Sequence, residues 1–199
     1  MKLLITGGCG FIGNHFIRNH LRQNPTDEIV NIDKISYAGR KENLLDVEKN
    51  PNYSLIQADI THSTKLNEWV KGCDSIVHFA AESHVDKSLE DASIFIESNV
   101  LGTYKLLEAA RKNEIKKFVQ ISTDETYGHI LEGSFTETDL LKPRNPYSAS
   151  KAGAEMMVNA FHETYGIPTL ITRSSNNYGP YQFPEKVIPL FVTNLLRGK

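Results

Sequence analysis

The chain has 199 residues, enough for one domain with a full core. Apolar residues make up 40% and charged residues 23%, a globular rather than a disordered composition, and a net charge of −2 gives no electrostatic case for a nucleic-acid partner. No apolar run approaches the roughly 20 residues that span a bilayer, so no membrane segment is expected. Residues 1–6 lack the long apolar stretch and small-residue cleavage site of a signal peptide. The two cysteines, Cys9 and Cys73, have neither metal-ligand spacing nor the density of a disulfide framework. A reducing cytoplasm is the expected location, and no metal site is expected.

Residues 3–5 predict a short buried strand that runs into glycines. Phe11, Ile12, Phe16, Ile17 and Leu21 then repeat at helical spacing and predict a helix over 11–21. Further strands are predicted over 28–32, 53–57, 75–79, 117–122 and 169–172, with a short helix over 66–70 between the third and fourth strands. Residues 92–112 contain no proline and carry the apolar stripe Phe95, Val100, Tyr104, Leu107 and Ala110, which predicts one long helix despite Gly102. A second long helix is predicted over 147–165, stopped by Gly166 and Pro168. Asn176, Asn177, Tyr178, Gly179 and Pro180 are turn chemistry, and 187–196 reads as a last helix.

Short apolar strands alternating with helices imply an α/β fold, a doubly wound parallel sheet of the Rossmann type. Residues 1–175 are expected to form the dinucleotide-binding domain. Residues 176–199 are expected to open a smaller substrate-binding region, most of which the chain lacks.

The glycine motif lies between the first strand and the first helix, where its chemistry is specific. Glycines let the backbone approach a pyrophosphate closely, and the helix N-terminus offers free N–H groups. Gly7, Gly10 and Gly13 fit one register and Gly8, Gly10 and Gly13 another, with Phe11 and Ile12 opening the helix. Asp33 stands 20 residues beyond Gly13, where an acid bonds ribose hydroxyls and repels a 2′-phosphate. NAD is therefore expected over NADP, with Lys34 and Arg40 as nearby cations that soften the preference.

Tyr147 and Lys151 are four residues apart and share a helix face. A lysine ammonium beside a phenol favours the phenolate, which can take a hydroxyl proton as hydride leaves the same carbon. The fifth strand runs into Ser122, Thr123, Asp124 and Glu125, two adjacent carboxyls where open α/β sheets bind ligands.

The glycine loop, the Tyr-x-x-x-Lys pair and the segment from Arg173 to Lys186 resemble the extended short-chain dehydrogenase/reductase family, and within it the dTDP-glucose 4,6-dehydratases. The motifs occur in order over nearly the whole chain. The resemblance implies that Asp59 and Ile60 contact adenine, and that Phe79, Ala80, Ala81 and Ser83 line the nicotinamide side. Asn99, which the resemblance also implies to be a structural asparagine, Ser122 and Asn176 complete the implied cofactor set. Ser83, His84, Asp86, Thr123, Asn177 and Lys186 are implied to touch the nucleotide-sugar.

The resemblance also implies a sequence of steps for dTDP-glucose. Tyr147, tuned by Lys151 and aided by Thr123, deprotonates the C4 hydroxyl while NAD+ is reduced. Glu125 then removes the C5 proton, Asp124 protonates the departing C6 hydroxyl, and C6 is reduced in turn. Sugar epimerases of the superfamily usually lack the Asp-Glu pair. Three alternatives stay open: a nucleotide-sugar 4-epimerase, a dehydratase of a UDP- or GDP-sugar, and an NAD-binding fragment without activity. The resemblance further implies a homodimer built on the two long helices.

Overall fold

The computed structural model describes residues 1–199. Six strands form one wholly parallel sheet: β1 (Lys2–Thr6), β2 (Glu28–Asp33), β3 (Tyr53–Gln57), β4 (Ser75–His78), β5 (Lys117–Thr123) and β6 (Thr169–Ser174). The order across the sheet is β3-β2-β1-β4-β5-β6, so the winding reverses between β1 and β4. That is a Rossmann-type, doubly wound arrangement, and its crevice opens beyond the carboxyl ends of those two strands.

Side-chain alternation along the strands sorts the core into two layers. Leu4, Ile32, Ile76 and Phe118 point to one face, against α2 (Leu66–Val70), α5 (Gly102–Lys112) and α6 (Pro146–Tyr165). Leu3, Ile5, Ile29 and Val77 point to the other, against Ile17 and Leu21 of α1 (Phe11–Gln23). α6 begins with Asn145, which caps the Ser148 N–H while the Ser148 hydroxyl reaches back, and with Pro146 in the first turn. α7 (Val187–Leu196) buries none of its residues.

The strands reach one or two residues past their predicted ends at β2, β5 and β6, and β4 stops at His78. The sequence reading missed α3 (Val85–Glu90), a short helix whose first turn is capped by the His84 ring. The long helix expected over 92–112 runs without a break from Ser93 to Lys112, but not as α-helix throughout. α4 (Ser93–Phe95) passes into a π-helical stretch (Ile96–Leu101) before α5 begins. The cause lies in side-chain bonds that no periodicity carries. The Thr103 hydroxyl donates to the Asn99 carbonyl at 2.6 Å, and the Asn99 side chain is pulled out to Glu82 and Ser150.

Candidate functional site

A cleft of about 530 Å³ opens at the reversal point, within the range of small-molecule sites. Its floor is the glycine loop. Gly7 holds φ at +72°, and a Cβ there would stand 2.5 Å from the Ala80 nitrogen. A Cβ on Gly13 would stand 2.5 Å from the Gly7 carbonyl oxygen. The loop therefore packs as only glycine permits. α1 has no side-chain cap, and its first helical bond is Asn14 N–H to the Gly10 carbonyl. The N–H groups of Phe11, Ile12 and Gly13 thus face the cleft at the positive end of the helix. This cradle fits a dinucleotide pyrophosphate.

Asp33 closes the next strand end. Its carboxylate accepts from Cys9 N–H at 2.9 Å and Ile35 N–H at 2.8 Å, which fixes it against the loop. Burial raises its pKa, and those two backbone donors oppose the rise. The cations expected to soften its preference are engaged elsewhere. Lys34 pairs with Glu82 at 2.8 Å, and the Arg40 guanidinium lies 5.5 Å from the Phe183 ring. Asp59 and Ile60 line the same wall beyond β3, and Phe79, Ala80, Ala81 and Ser83 line it beyond β4.

The far wall holds Ser122, Thr123, Glu125, Tyr147 and Lys151, with Asn176, Asn177 and Lys186 on the segment that crosses above. Lys186 Nζ lies 3.5 Å from the Ser83 carbonyl oxygen, so the segment leans across the mouth. The Thr123 hydroxyl accepts from Glu125 N–H at 3.2 Å and holds the 3₁₀ turn Asp124–Thr126 that places Glu125. Asn145, the cap of α6, donates to the Glu125 carboxylate at 3.3 Å.

The electrostatics differ from the sequence expectation at one point. Tyr147 is pushed up to about 12, first by burial and then by the Glu125 charge, with the Thr123 hydroxyl acting the other way. Lys151 is brought down to about 8 by burial, against the pull of Glu155. Its Nζ donates to the Ile121 carbonyl at 2.6 Å. The expected lowering of the phenol by the lysine is thus not the dominant effect in this arrangement, because desolvation of both groups outweighs it.

Four expected site residues are not on the cleft wall. Asn99, expected at the cofactor, bonds the Glu82 N–H and carbonyl and the Ser150 hydroxyl, and so ties the β4 loop to α6. The Asp124 carboxylate sits 3.3 Å from the Thr123 hydroxyl, which donates to it, and turns off the wall that Glu125 joins. His84 caps α3 and pairs with Glu185 at 3.3 Å. Asp86 lies in the first turn of α3.

The sequence reading missed two features. Glu185 and Tyr37 line the cleft. Glu155 is a fully buried carboxylate one turn beyond Lys151, bonded by Ser122 and Arg173. Its signal was present in the spacing: an acid four residues after Lys151, on the stripe that carries Ala154 and Val158 into the core.

Comparison with known proteins follows the same lines. The family model described as GDP-mannose 4,6 dehydratase matches residues 4–199. The chain is 49% identical to the low-salt glycan biosynthesis protein Agl12 of Haloferax volcanii, covering all of this chain and 64% of that protein. It is 48% identical to the dTDP-glucose 4,6-dehydratase of Salmonella typhimurium, covering all of this chain and 61% of that one. The crystal structure of DesIV, a dTDP-glucose 4,6-dehydratase from Streptomyces venezuelae with NAD bound, superposes with a TM-score of 0.97 at 50% identity, over all of this chain and 63% of that one. A UDP-glucuronic acid 4-epimerase from Bacillus cereus, in complex with UDP-glucuronic acid and NAD, gives 0.94 at 30% identity, over 100% and 64%. The chain spans somewhat under two thirds of the length of these relatives.

Proposed function

The chain belongs to the GDP-mannose 4,6-dehydratase family, and from that premise we propose that it is the NAD-binding part of a dTDP-glucose 4,6-dehydratase. Residues 1–175 form the dinucleotide domain in this reading, and residues 176–199 begin the substrate region. The cytoplasm is the proposed compartment. No helix is long and apolar enough to cross a membrane.

The observation that carries the reading is Glu125. A carboxyl stands on the same wall as Tyr147 and Lys151, at the end of β5. A site that only inverts C4 has no use for a base beside the C5 hydrogen. A site that eliminates water across C5 and C6 needs one.

Bound NAD supplies the acceptor for the C4 hydride and, after water is lost, the donor for C6. The chain does the rest. The glycine loop and the α1 N-terminus hold the pyrophosphate, and Asp33 holds the adenosine ribose. Lys151 orients the nicotinamide ribose from its anchor on the Ile121 carbonyl, and its charge favours the Tyr147 phenolate once a ligand fills the cleft. Tyr147 takes the C4 hydroxyl proton, with Thr123 beside it. The ketone at C4 acidifies C5, and Glu125 takes that proton and returns one to C5 as C6 is reduced. Asp124 gives its proton to the departing C6 hydroxyl after turning from Thr123 to the wall. Asn177 and Lys186 reach the substrate from above.

The test is mass spectrometry of the nucleotide-sugar after incubation in deuterated water with the full-length protein. A product lighter than dTDP-glucose by one water, with deuterium at C5, supports the reading. An isomer of unchanged mass identifies a 4-epimerase, which the B. cereus neighbour keeps as the second reading.

A further inference from the structure

Behind the wall that carries Lys151 lies a closed polar network with no part in the steps above. Glu155 is fully buried. One carboxylate oxygen accepts from the Ser122 hydroxyl, and the other accepts from Arg173 Nε at 2.9 Å and Nη2 at 2.7 Å. Arg173 reaches on to the Tyr127 hydroxyl at 2.6 Å. The bonds join α6, β5 with its 3₁₀ turn, and β6, and one further bond ties Arg173 to the Glu137 carbonyl at 3.4 Å. These elements carry Lys151, Thr123 and Glu125, and Asn176 follows from β6.

We propose that Glu155 is a positioning residue for Lys151: its carboxylate, pinned by Ser122 and Arg173, is the countercharge that keeps the buried ammonium charged and aimed at the nicotinamide ribose. An ion pair whose carboxylate is fully buried is weak evidence of a stabilising role, since desolvation offsets much of its attraction. Retaining one here makes sense if the charge serves a neighbour. Lys151 is 4% exposed and has no carboxylate in contact. Its Nζ sits on the Ile121 carbonyl, and the Glu155 carboxylate, one helical turn on, is held on the hydroxyl of the next β5 residue, Ser122, so the two charges face the same strand end. The attraction of Glu155 opposes the loss of the proton that burial favours.

The other titratable groups around Lys151 do not substitute. Glu125, on the 3₁₀ turn packed against α6, shares the cleft wall but takes the Asn145 amide and acts on Tyr147, and Asp124 takes the Thr123 hydroxyl. His78 on β4 is held neutral, far below its usual range at about 3, by burial and by the Lys151 charge. Tyr147 is a phenol pushed up to about 12. Arg173 is a like charge. Of the charged groups on the other elements packed against α6, Lys87 of α3 lies over the Tyr37 ring and Glu97 of the π-helical stretch pairs with His62 at the surface.

The inference rests on the proposed role of Lys151, but its test needs no turnover. The 199-residue chain is labelled with 13C at lysine Cε, and the Lys151 resonance is assigned by its loss in Lys151→Met. Its titration is followed by NMR in the parent, in Glu155→Gln and in Arg173→Met. Glu155→Gln is expected to lower the Lys151 midpoint by about one pH unit, a tenfold loss of proton affinity. Arg173→Met frees the carboxylate and is expected to raise it. The affinity for NAD+, measured against pH, is expected to break at the shifted midpoint in each variant.

A purely structural salt bridge gives loss of stability in both variants, with the break in NAD+ affinity left where it stands in the parent; that result also overturns the proposal. An unmoved midpoint in Glu155→Gln overturns the proposal, as does a downward shift in Arg173→Met. Either variant alone decides if the other does not fold. Loss of dehydratase activity with these titrations intact would count against the proposed function and not against this role.

Discussion

Tyr147 and Lys151 show how much of a site resides in burial rather than spacing. The four-residue interval puts them on one face, yet both are pushed toward their neutral forms, the phenol up to about 12 and the amine down to about 8. In the proposed mechanism Tyr147→Phe removes the hydroxyl assigned to take the C4 proton. It is expected to lower kcat by about 10²–10⁴ in the full-length enzyme while leaving NAD binding within a few-fold, as read by steady-state kinetics and titration calorimetry. His78 gives a prediction in stability. The Thr103 hydroxyl donates to the Asn99 carbonyl, so it accepts from His78 Nε2–H at 3.0 Å, and the bare Nδ1 accepts from the Thr6 hydroxyl at 2.6 Å. The ring is neutral in the folded chain. A folded pKa depressed from 6.5 to about 3 gives stability that is present above pH 6.5 and lost as pH falls toward 3. Urea unfolding is expected to show up to about 1.4 kcal/mol lost per pH unit below 6.5 from this residue, and His78→Gln is expected to lack that component. An equal acid slope in the variant would contradict the assignment. That the glycines, Asp33, Glu125 and the Tyr-Lys pair line one cleft was legible from the sequence, because their types and their places at strand ends and helix starts bring them there. The direction of Asp124 was not, since neighbours in a 3₁₀ turn point apart. The resemblance implied a structural asparagine at Asn99, in keeping with its bonds to Glu82 and Ser150, but those partners, 17 and 51 residues away, were not legible from the sequence.

The strands and the longer helices were legible as elements because buried parallel strands and amphipathic helices leave strong periodic patterns. The π-helical stretch left none, since Thr103 and Asn99 act through side-chain bonds to the backbone and not through apolar spacing. α3 was too short to show a period. Two predictions belong at this scale. Gly13→Ala sets a Cβ 2.5 Å from the Gly7 carbonyl oxygen and 2.8 Å from Gly8 Cα, so the loop must open. NAD binding is expected to weaken at least about tenfold, ~1.4 kcal/mol, by titration calorimetry. Asn145→Ala removes the cap of α6 and the amide donor to Glu125 together. It is expected to cost about 1 kcal/mol in urea unfolding, and to lower kcat in the full-length protein more than that loss of stability explains.

The whole molecule has one well-packed sheet face and one thinly covered stretch. Phe118 and the α2, α5 and α6 residues close the first. On the second, α1 covers β1 and β2, while Leu170 on β6 is 48% exposed. α7 adds Val187, Phe191, Leu195 and Leu196, all more than 60% exposed. Exposed apolar surface on this scale favours association. The pairing proposed for the two long helices has its own exposed residues, Ile96, Tyr104, Met156 and Tyr165. Sedimentation separates the two sources. Tyr104→Glu with Met156→Glu is expected to yield a monomer if those helices pair, and Phe191→Glu with Leu195→Glu to suppress only higher association.

The central claim is that the cleft at the β1/β4 reversal is built for NAD. It is tested most directly by denaturing the purified chain, with and without prior incubation with NAD, and identifying the released nucleotide by mass. Release of NAD is the predicted result. Release of NADP would contradict the reading of Asp33, and no dinucleotide after incubation would contradict the assignment of the cleft itself.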